Sequence, residues 1–295
     1  MNKALSSTSE DTSIAAQLKW AASLILSAEV ANDTALLDAK ILLCHCLQRD
    51  MSYLHTWPEK TLEPEQVIQF TELVQQRCQG RPIAYLIGYR DFWTLRLKVS
   101  EATLIPRPET ELLVESALEL SLPDRAKVLD LGTGTGAIAL ALASEKSDWQ
   151  VIGIDKSHDA VKLAKQNATE NRLDSVRFMQ SDWFSKLDKQ RFDLIVTNPP
   201  YVEDNSPYLQ QGDVRFEPLS ALISGADGLD DIRFIVVQAK GYLAGAGWLV
   251  IEHGFEQDEK IRNIFESNAY VEIRSVSDFN GLPRVTMGKF YENDL

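Results

Sequence analysis

Long apolar runs, basic charge and cysteine are what this chain lacks. No apolar stretch approaches the ~18–20 residues needed to span a bilayer, and the opening MNKALSSTSEDTS has none of the apolar core of a signal peptide. The expected location is therefore cytoplasmic, with no membrane partner. Lys and Arg number 30 against 43 Asp and Glu, a formal net charge of −13. Free duplex binding draws its affinity from Lys and Arg at phosphates. The acidity thus argues against a bare nucleic-acid substrate, although a local basic patch can survive it. Three cysteines, Cys44, Cys46 and Cys78, are too few for a disulfide framework. Cys44-His45-Cys46 has a metal-like composition, but positions i and i+2 face different sides of a helix and no second ligand pair follows. No metal site is expected. None of the four histidines falls inside a motif, and no internal repeat or low-complexity tract is present.

What is present begins with helical spacing. Ala15, Leu18, Ala22, Ile25 and Leu26 recur at that spacing within 14–30, and Asn32-Asp33 marks a turn. Leu36, Leu37, Ile41, Leu42 and Leu43 give a second helix. Val67, Phe70 and Val74 give a third over roughly 63–78, with Gly80 as its C-cap. Residues 1–80 therefore read as a small all-helical N-terminal domain, either structural or for substrate recognition. From Arg81 the pattern changes. Residues 85–89 and 93–99 read as two strands, a β-hairpin linker within 81–106. The loop Ile105-Pro106-Arg107-Pro108-Glu109-Thr110-Glu111 then enters a helix over 112–120. Pro108 suits a helix start, and Glu109 and Glu111 complement its dipole, which competes with any catalytic or cofactor role for them.

The rest alternates strand and helix. Apolar strands over 127–131, 151–155, 176–180, 192–197 and 247–252 are separated by helices, and 271–276 with 285–291 closes the pattern as a strand pair. The fold class is α/β, with a Rossmann-like sheet of seven strands. The strand 192–197 stops at Asn198-Pro199-Pro200-Tyr201, because proline cannot donate to a sheet ladder. This leaves a stiff tip at the carboxyl end of a buried strand, with a side-chain amide, carbonyls and an aromatic face that can hold a planar –NH2 group. The alternative for the tetrapeptide is a strand cap with a Pro-Pro turn.

Gly132-Thr133-Gly134-Thr135-Gly136 follows the first of these strands. Such a turn lets a ligand approach the backbone closely and is compatible with NAD or S-adenosylmethionine. Asp155 ends the second strand about 20 residues on, where an acid can accept both ribose hydroxyls of an adenosine. After the third strand, Asp182 can meet an adenine amine and Trp183 can pack on the ring. The long polar stretch 202–224 is expected to be a lid or binding loop.

In this order and spacing the glycine turn, Asp155 and Asn198-Pro199-Pro200-Tyr201 resemble the Class I S-adenosylmethionine-dependent methyltransferases that act on planar –NH2 nitrogens. The resemblance extends through Arg90-Asp91-Phe92-Trp93, the 104–111 loop, Gln180-Ser181-Asp182-Trp183-Phe184 and Gly212-Asp213-Val214-Arg215-Phe216-Glu217-Pro218. Over nearly the whole chain it is to the PrmC/HemK family, the release-factor glutamine N5-methyltransferases. That resemblance implies S-adenosyl-L-methionine as cofactor, a methyltransferase domain over 107–295, and the glutamine of a Gly-Gly-Gln loop in peptide chain release factors as substrate. Gly132, Thr133, Gly134, Thr135, Gly136, Asp155, Asp182, Trp183 and Asn198 are then the expected cofactor residues. Asn198, Pro199, Pro200 and Tyr201 are expected at the substrate and in catalysis, the Asn198 oxygen and Pro199 carbonyl each accepting one amide N–H and Tyr201 packing on the amide plane. A monomer is expected. Ribosomal-protein glutamine methyltransferases share the tetrapeptide, and a nucleic-acid amino methyltransferase uses the same logic. A nucleoside-binding protein without catalysis would lack turnover, and a dehydrogenase would need an acid–base pair that no motif supplies.

Overall fold

The computed structural model describes residues 11–28, 30, 33–188 and 190–291. Residues 1–10 of the polar start and Asn32 of the expected turn lie outside the described residues. The chain divides into two compact units. One holds the residues up to Gly88 together with Gln210–Phe216, and the other holds Tyr89–Leu209 and the residues from Glu217 onward.

The first unit is helical: α1 (Ile14–Ser27), α2 (Ala35–Leu47), α3 (Met51–Thr56), α4 (Pro64–Cys78) and α5 (Ile83–Ile87). Its starts follow sequence chemistry. Ser13 caps α1 by accepting from the Ala16 N–H, and Pro64 sits at the first turn of α4, where the Gln66 side chain accepts from the Glu63 N–H at 3.0 Å. Ile14, Ile25, Leu42, Leu43 and Phe70 are fully buried between the helices, and Trp20 meets Phe70 edge-on. Cys46 belongs to this core, and burial pushes its thiol up to about 12. Of the expected strand at 85–89, Tyr85, Leu86 and Ile87 belong instead to the short helix α5, Gly88 caps it, and only Tyr89 is in a strand. Pro82 precedes it and brings no N–H for a helix start to leave unpaired, while Gly88 takes a left-handed φ of 84° that ends it. The apolar run Tyr85-Leu86-Ile87 suits either state, and these two residues select the helix.

Arg77 ties this unit together through two ion pairs. Arg77 Nε donates to Asp38 Oδ2 at 2.8 Å with both side chains buried. Arg77 Nη1 donates to the carbonyls of Gly80 and Arg81 and to Asp213 Oδ1 at 3.1 Å.

The second unit opens with a tight antiparallel hairpin of β1 (Tyr89–Phe92) and β2 (Leu95–Lys98). It continues with α6 (Glu111–Leu118), β3 (Lys127–Leu131), α7 (Ala137–Glu145), β4 (Gln150–Asp155), α8 (His158–Glu170), β5 (Arg177–Gln180) and β6 (Phe192–Thr197). Then come α9 (Asp230–Ala239), β7 (Leu243–Glu252), α10 (Asp258–Ser267), β8 (Val271–Ser277) and β9 (Pro283–Phe290). The seven strands β3–β9 form one sheet in the order β5-β4-β3-β6-β7-β9-β8. The first five run parallel, and β9 pairs antiparallel with both β7 and β8.

Parallel strands buried on both faces read as continuous apolar runs. Leu194 and Val196 of β6 enter one apolar layer and Ile195 the other, following the period-two alternation of a strand. All of Ala137 through Ala143 is buried, as befits a helix that is apolar on every side. The chain runs outward from β3 to β4 and β5, then returns to place β6 on the other side of β3. A crevice opens at such a reversal, beyond the carboxyl ends of the strands. No helix among the described residues is long and apolar enough to cross a membrane.

Removing Arg77 strands the Asp38 carboxylate in a dry site. Arg77→Ala should destabilise the protein by about 3–5 kcal/mol. In urea denaturation the double change with Asp38→Ala should cost less than the sum of the two single changes.

Candidate active site

The carboxyl ends of β3, β4, β5 and β6 line one cavity, together with Thr103, Pro106, Arg107 and Thr110. Beyond β3 the chain turns through Gly132 and Gly134, with φ of 71° and 54°, a conformation in which a Cβ is strained. The turn is held from both sides. Thr133 N–H donates to the Ile154 carbonyl, and Asn167 Nδ2 donates to the carbonyls of Thr135, at 2.8 Å, and Lys98, at 3.1 Å. Gly132, Thr133, Gly134 and Thr135 line the cavity. Gly136 does not. It caps α7 with φ of 85°, and a side chain there would press on Phe178 and Ala164.

Asp155, at the end of β4, also lines the cavity. Its Oδ2 accepts from the Gly134 N–H at 3.0 Å and its Oδ1 from the Ser157 N–H at 2.8 Å. Each carboxylate oxygen carries a second lone pair, so the group is oriented by the glycine turn and still has acceptor capacity toward the cavity. Burial raises its pKa against those two hydrogen bonds. Beyond β5, Ser181 Oγ donates to the Trp183 carbonyl at 2.6 Å and accepts from the Lys186 N–H. This knot, with Trp183 at φ of 42°, presents Asp182 and Trp183 to the cavity.

Asn198 and Pro200 line the cavity after β6, whereas Pro199 and Tyr201 are not among its lining residues. Asn198 Nδ2 donates to Thr110 Oγ1 at 3.1 Å, and its Oδ1 accepts no hydrogen bond from the described residues. The Tyr201 hydroxyl turns toward Glu252 Oε1 at 3.5 Å, and burial pushes it upward in pKa. Tyr201 is thus placed behind the tip, where the sequence suggested packing on an acceptor amide. Glu111 accepts from the Trp93 N–H at 2.7 Å and so fixes the β1–β2 turn, a use distinct from both capping and chemistry.

Sequence reasoning left several neighbours without a role. Arg107 lines the cavity and its Nη2 pairs with the buried Glu217 Oε2 at 2.6 Å, while Glu217 Oε1 accepts from the Ile105 N–H. Thr110 orients Asn198. Glu252, ending β7, is 2% exposed and is pushed up to about 7 by burial. Asp130, in β3, is fully buried and likewise pushed up to about 7 by burial; its Oδ2 accepts from Thr133 Oγ1 at 2.6 Å and from the Ala139 N–H. A signal for Glu252 was available. It is a carboxylate closing an apolar strand, the same pattern that singled out Asp155.

Comparison with known proteins adds to this geometry. A sequence profile described as "PrmC N-terminal domain" matches residues 16–88, and one described as "Methyltransferase small domain" matches residues 108–212. A release factor glutamine methyltransferase of Shewanella oneidensis is 49% identical over 281 residues, which cover 95% of this chain and 97% of that protein. One from Escherichia coli K12 is 46% identical over 262 residues, covering 89% of this chain and 95% of its own. The chain belongs to the release factor glutamine methyltransferase family. Among solved structures, a methyltransferase from Pyrococcus furiosus aligns at a TM-score of 0.52 and 14% identity, over 67% of this chain and 90% of that one, and shares the methyltransferase fold.

Within this methyltransferase Asp130 has a measurable thermodynamic signature. Its folded pKa is raised above the unfolded value, so it contributes no penalty below the unfolded pKa of about 4 and destabilises the fold as pH rises toward 7. The melting midpoint of Asp130→Asn relative to the parent should therefore rise from pH 4 to about pH 7 and level off above it. A gap that is constant or shrinks with pH would contradict the assignment.

Proposed function

We propose that this enzyme transfers a methyl group to the side-chain amide nitrogen (N5) of the glutamine in the Gly-Gly-Gln motif of peptide chain release factors, acting in translation termination. S-adenosyl-L-methionine is the donor and S-adenosyl-L-homocysteine the product. The reading takes the enzyme as a cytoplasmic monomer that acts without nucleic acid, its helical N-terminal unit serving release-factor recognition. The names of its relatives, release factor glutamine methyltransferases, support the substrate. The observation that carries the chemistry is Asn198. Its donor end is held by Thr110, its Oδ1 accepts no hydrogen bond from the described residues, and the residue lines the cavity together with the glycine turn.

The residues present fit the donor. Asp155 retains lone pairs for two ribose hydroxyls, and the Asp182 carboxylate takes no hydrogen bond from the described residues, leaving it for an adenine amine. Trp183 brings an apolar face against the Gly132 end of the turn. When bound, S-adenosylmethionine supplies an electrophilic methyl on a sulfonium centre.

The remaining problem is the nucleophile. A glutamine amide nitrogen is weak because its lone pair is delocalised into the carbonyl. Asn198 Oδ1 and the Pro199 carbonyl each accept one N–H of that amide, which fixes its plane and directs the lone pair at the methyl. Both acceptors strengthen their hold as positive charge develops on nitrogen, so they favour the transition state over the bound substrate. Pro199 and Pro200 keep this tip stiff, which lowers the reorganisation needed at the moment of reaction. No dedicated base is required, since the methylated amide is acidic enough to give its proton to water.

Incubation of a purified, unmethylated release factor with the enzyme and S-adenosylmethionine, followed by peptide mass spectrometry, should show one added methyl on the Gly-Gly-Gln glutamine. No added methyl, with cofactor binding intact, would overturn the substrate and redirect the search to ribosomal proteins. Asn198→Ala should lower kcat by roughly 10²–10³-fold with cofactor affinity nearly unchanged, and equal losses in both would sink its role. Asp155→Ala should weaken S-adenosylmethionine binding in calorimetry, an outcome that an unchanged Kd would refute.

A further inference from the structure

An amide side chain has an acceptor end and a donor end of nearly the same shape. Asn198 therefore presents its oxygen to a substrate only if a neighbour holds its nitrogen. That neighbour is Thr110, whose Oγ1 accepts from Asn198 Nδ2. A hydroxyl both accepts and donates, so Thr110 alone can satisfy either end of an amide. It discriminates only when its own proton is committed elsewhere.

Glu252 is placed to commit it. β6 and β7 are paired with Thr197 opposite Ile251, so Asn198 and Glu252 are the next residues along neighbouring strands. The Glu252 carboxyl is buried, and its Oε2 has no hydrogen-bond partner among the described residues. Thr110 and Asn198 both face this carboxyl and favour its charged form. The charged groups around it are Glu109, before α6, which opposes that form, and Arg284 of β9, which supports it. Tyr201 reaches it from the tip after β6. His253, next along the chain, is turned to the Gly254 carbonyl and to Thr286. A buried carboxyl with one oxygen unpaired is costly, and a hydrophobic residue of similar size would pack this strand end as well. Such groups concentrate where chemistry needs them.

We propose that Glu252 is a positioning residue for methyl transfer: its carboxylate, an acceptor only, takes the Thr110 hydroxyl proton and thereby locks Asn198 with Nδ2 inward and Oδ1 toward the substrate amide. This rests on the role given to Asn198 above. Asn198 Nδ2 carries two protons, one given to Thr110 Oγ1 and one facing Glu252, so the carboxylate holds the amide both directly and through the Thr110 O–H. A protonated Glu252 is itself a donor. Thr110 is then free to donate to Asn198 Oδ1, and the amide can reverse. The lock is complete above the Glu252 pKa and loosens as pH falls through it. Since burial raises that pKa to about 7, kcat of the parent enzyme should fall on the acid side of neutrality.

The test compares the parent with Glu252→Gln, Thr110→Val and Asn198→Ala. It uses kcat and KM on an unmethylated release factor from pH 5.5 to 8.5, the S-adenosylmethionine Kd, and the melting midpoint. Glu252→Gln keeps the shape of the side chain but gives it a donor end. It should lower kcat about ten- to hundredfold, leave the cofactor Kd within about twofold, and abolish the acid limb of the kcat profile. Thr110→Val keeps the packing and removes the relay but not the direct Glu252–Asn198 contact, so it should lower kcat by less than Glu252→Gln, and it reads out the lock even if the Gln variant folds poorly. Parental kcat with an intact acid limb in either variant, beside a crippled Asn198→Ala, would overturn the proposal and leave the role of Asn198 standing. Parental kcat in Asn198→Ala would overturn both.

Discussion

A buried parallel strand that runs into two prolines has to stop, and the site is built around that stop. β6 pairs through Thr197 on both sides, with Leu131 of β3 and Ile251 of β7, and Pro199 and Pro200 bring no N–H to continue either ladder. The neighbouring strands end at the same level, β3 in the glycine turn and β7 in Glu252. Three adjacent strand ends thus deliver a backbone cradle, an amide and a carboxyl. Their proximity is a matter of register. A slip of one residue in β6 would exchange its two faces, drive Ile195 into the layer of Leu194 and Val196, and carry Asn198 away from the crevice. The apolar layers on both sides of the sheet therefore hold the chemistry in place.

Polar groups at this end of the sheet are bought with stability. Asp130, Asp155 and Glu252 are all carboxyls whose ionisation burial opposes. Each is tied to a segment that must not move: Asp130 to Thr133 and the start of α7, Asp155 to Gly134 and Ser157, Glu252 to Tyr201. The ion pair of Arg107 with Glu217 does the same for the loop before α6, fastening Ile105 to the far end of the long polar stretch. Rigidity at the site comes from many short polar ties laid over a stiff apolar base.

What could be read in the sequence was what is local. The five apolar runs, the glycine turn, Asp155 and the Pro-Pro stop each lie within a few residues; the structure pairs the runs in one sheet and brings the glycine turn, Asp155, Asn198 and Pro200 to one cavity. The helix at 85–87, where a strand is expected, is also a local matter, because an apolar run takes its state from its ends, and Pro82 and Gly88 supply a helix start and stop. The remaining gaps are different in kind. Thr110 meets Asn198 across 88 positions and Ile105 meets Glu217 across 112, and nothing in either residue's neighbourhood announces the other. Glu252 was visible as a strand end but not as part of a site, because β7 had to be known as the neighbour of β6.

The composition of the helical unit bears on how the chain is made. Arg77 and Asp213 are 136 positions apart, yet both belong to that unit. A ribosome adding about 5–20 residues per second needs roughly 7–27 seconds to pass from one to the other. In that interval Asp38 and two carbonyls serve Arg77 alone, and β3 through β6 are translated. The unit that begins the message is finished only after the centre of the sheet has been translated. A product cut short before residue 210 contains every α-helix of the first unit and still lacks its last segment, so completion of that unit reports that translation has passed the Pro-Pro stop after β6.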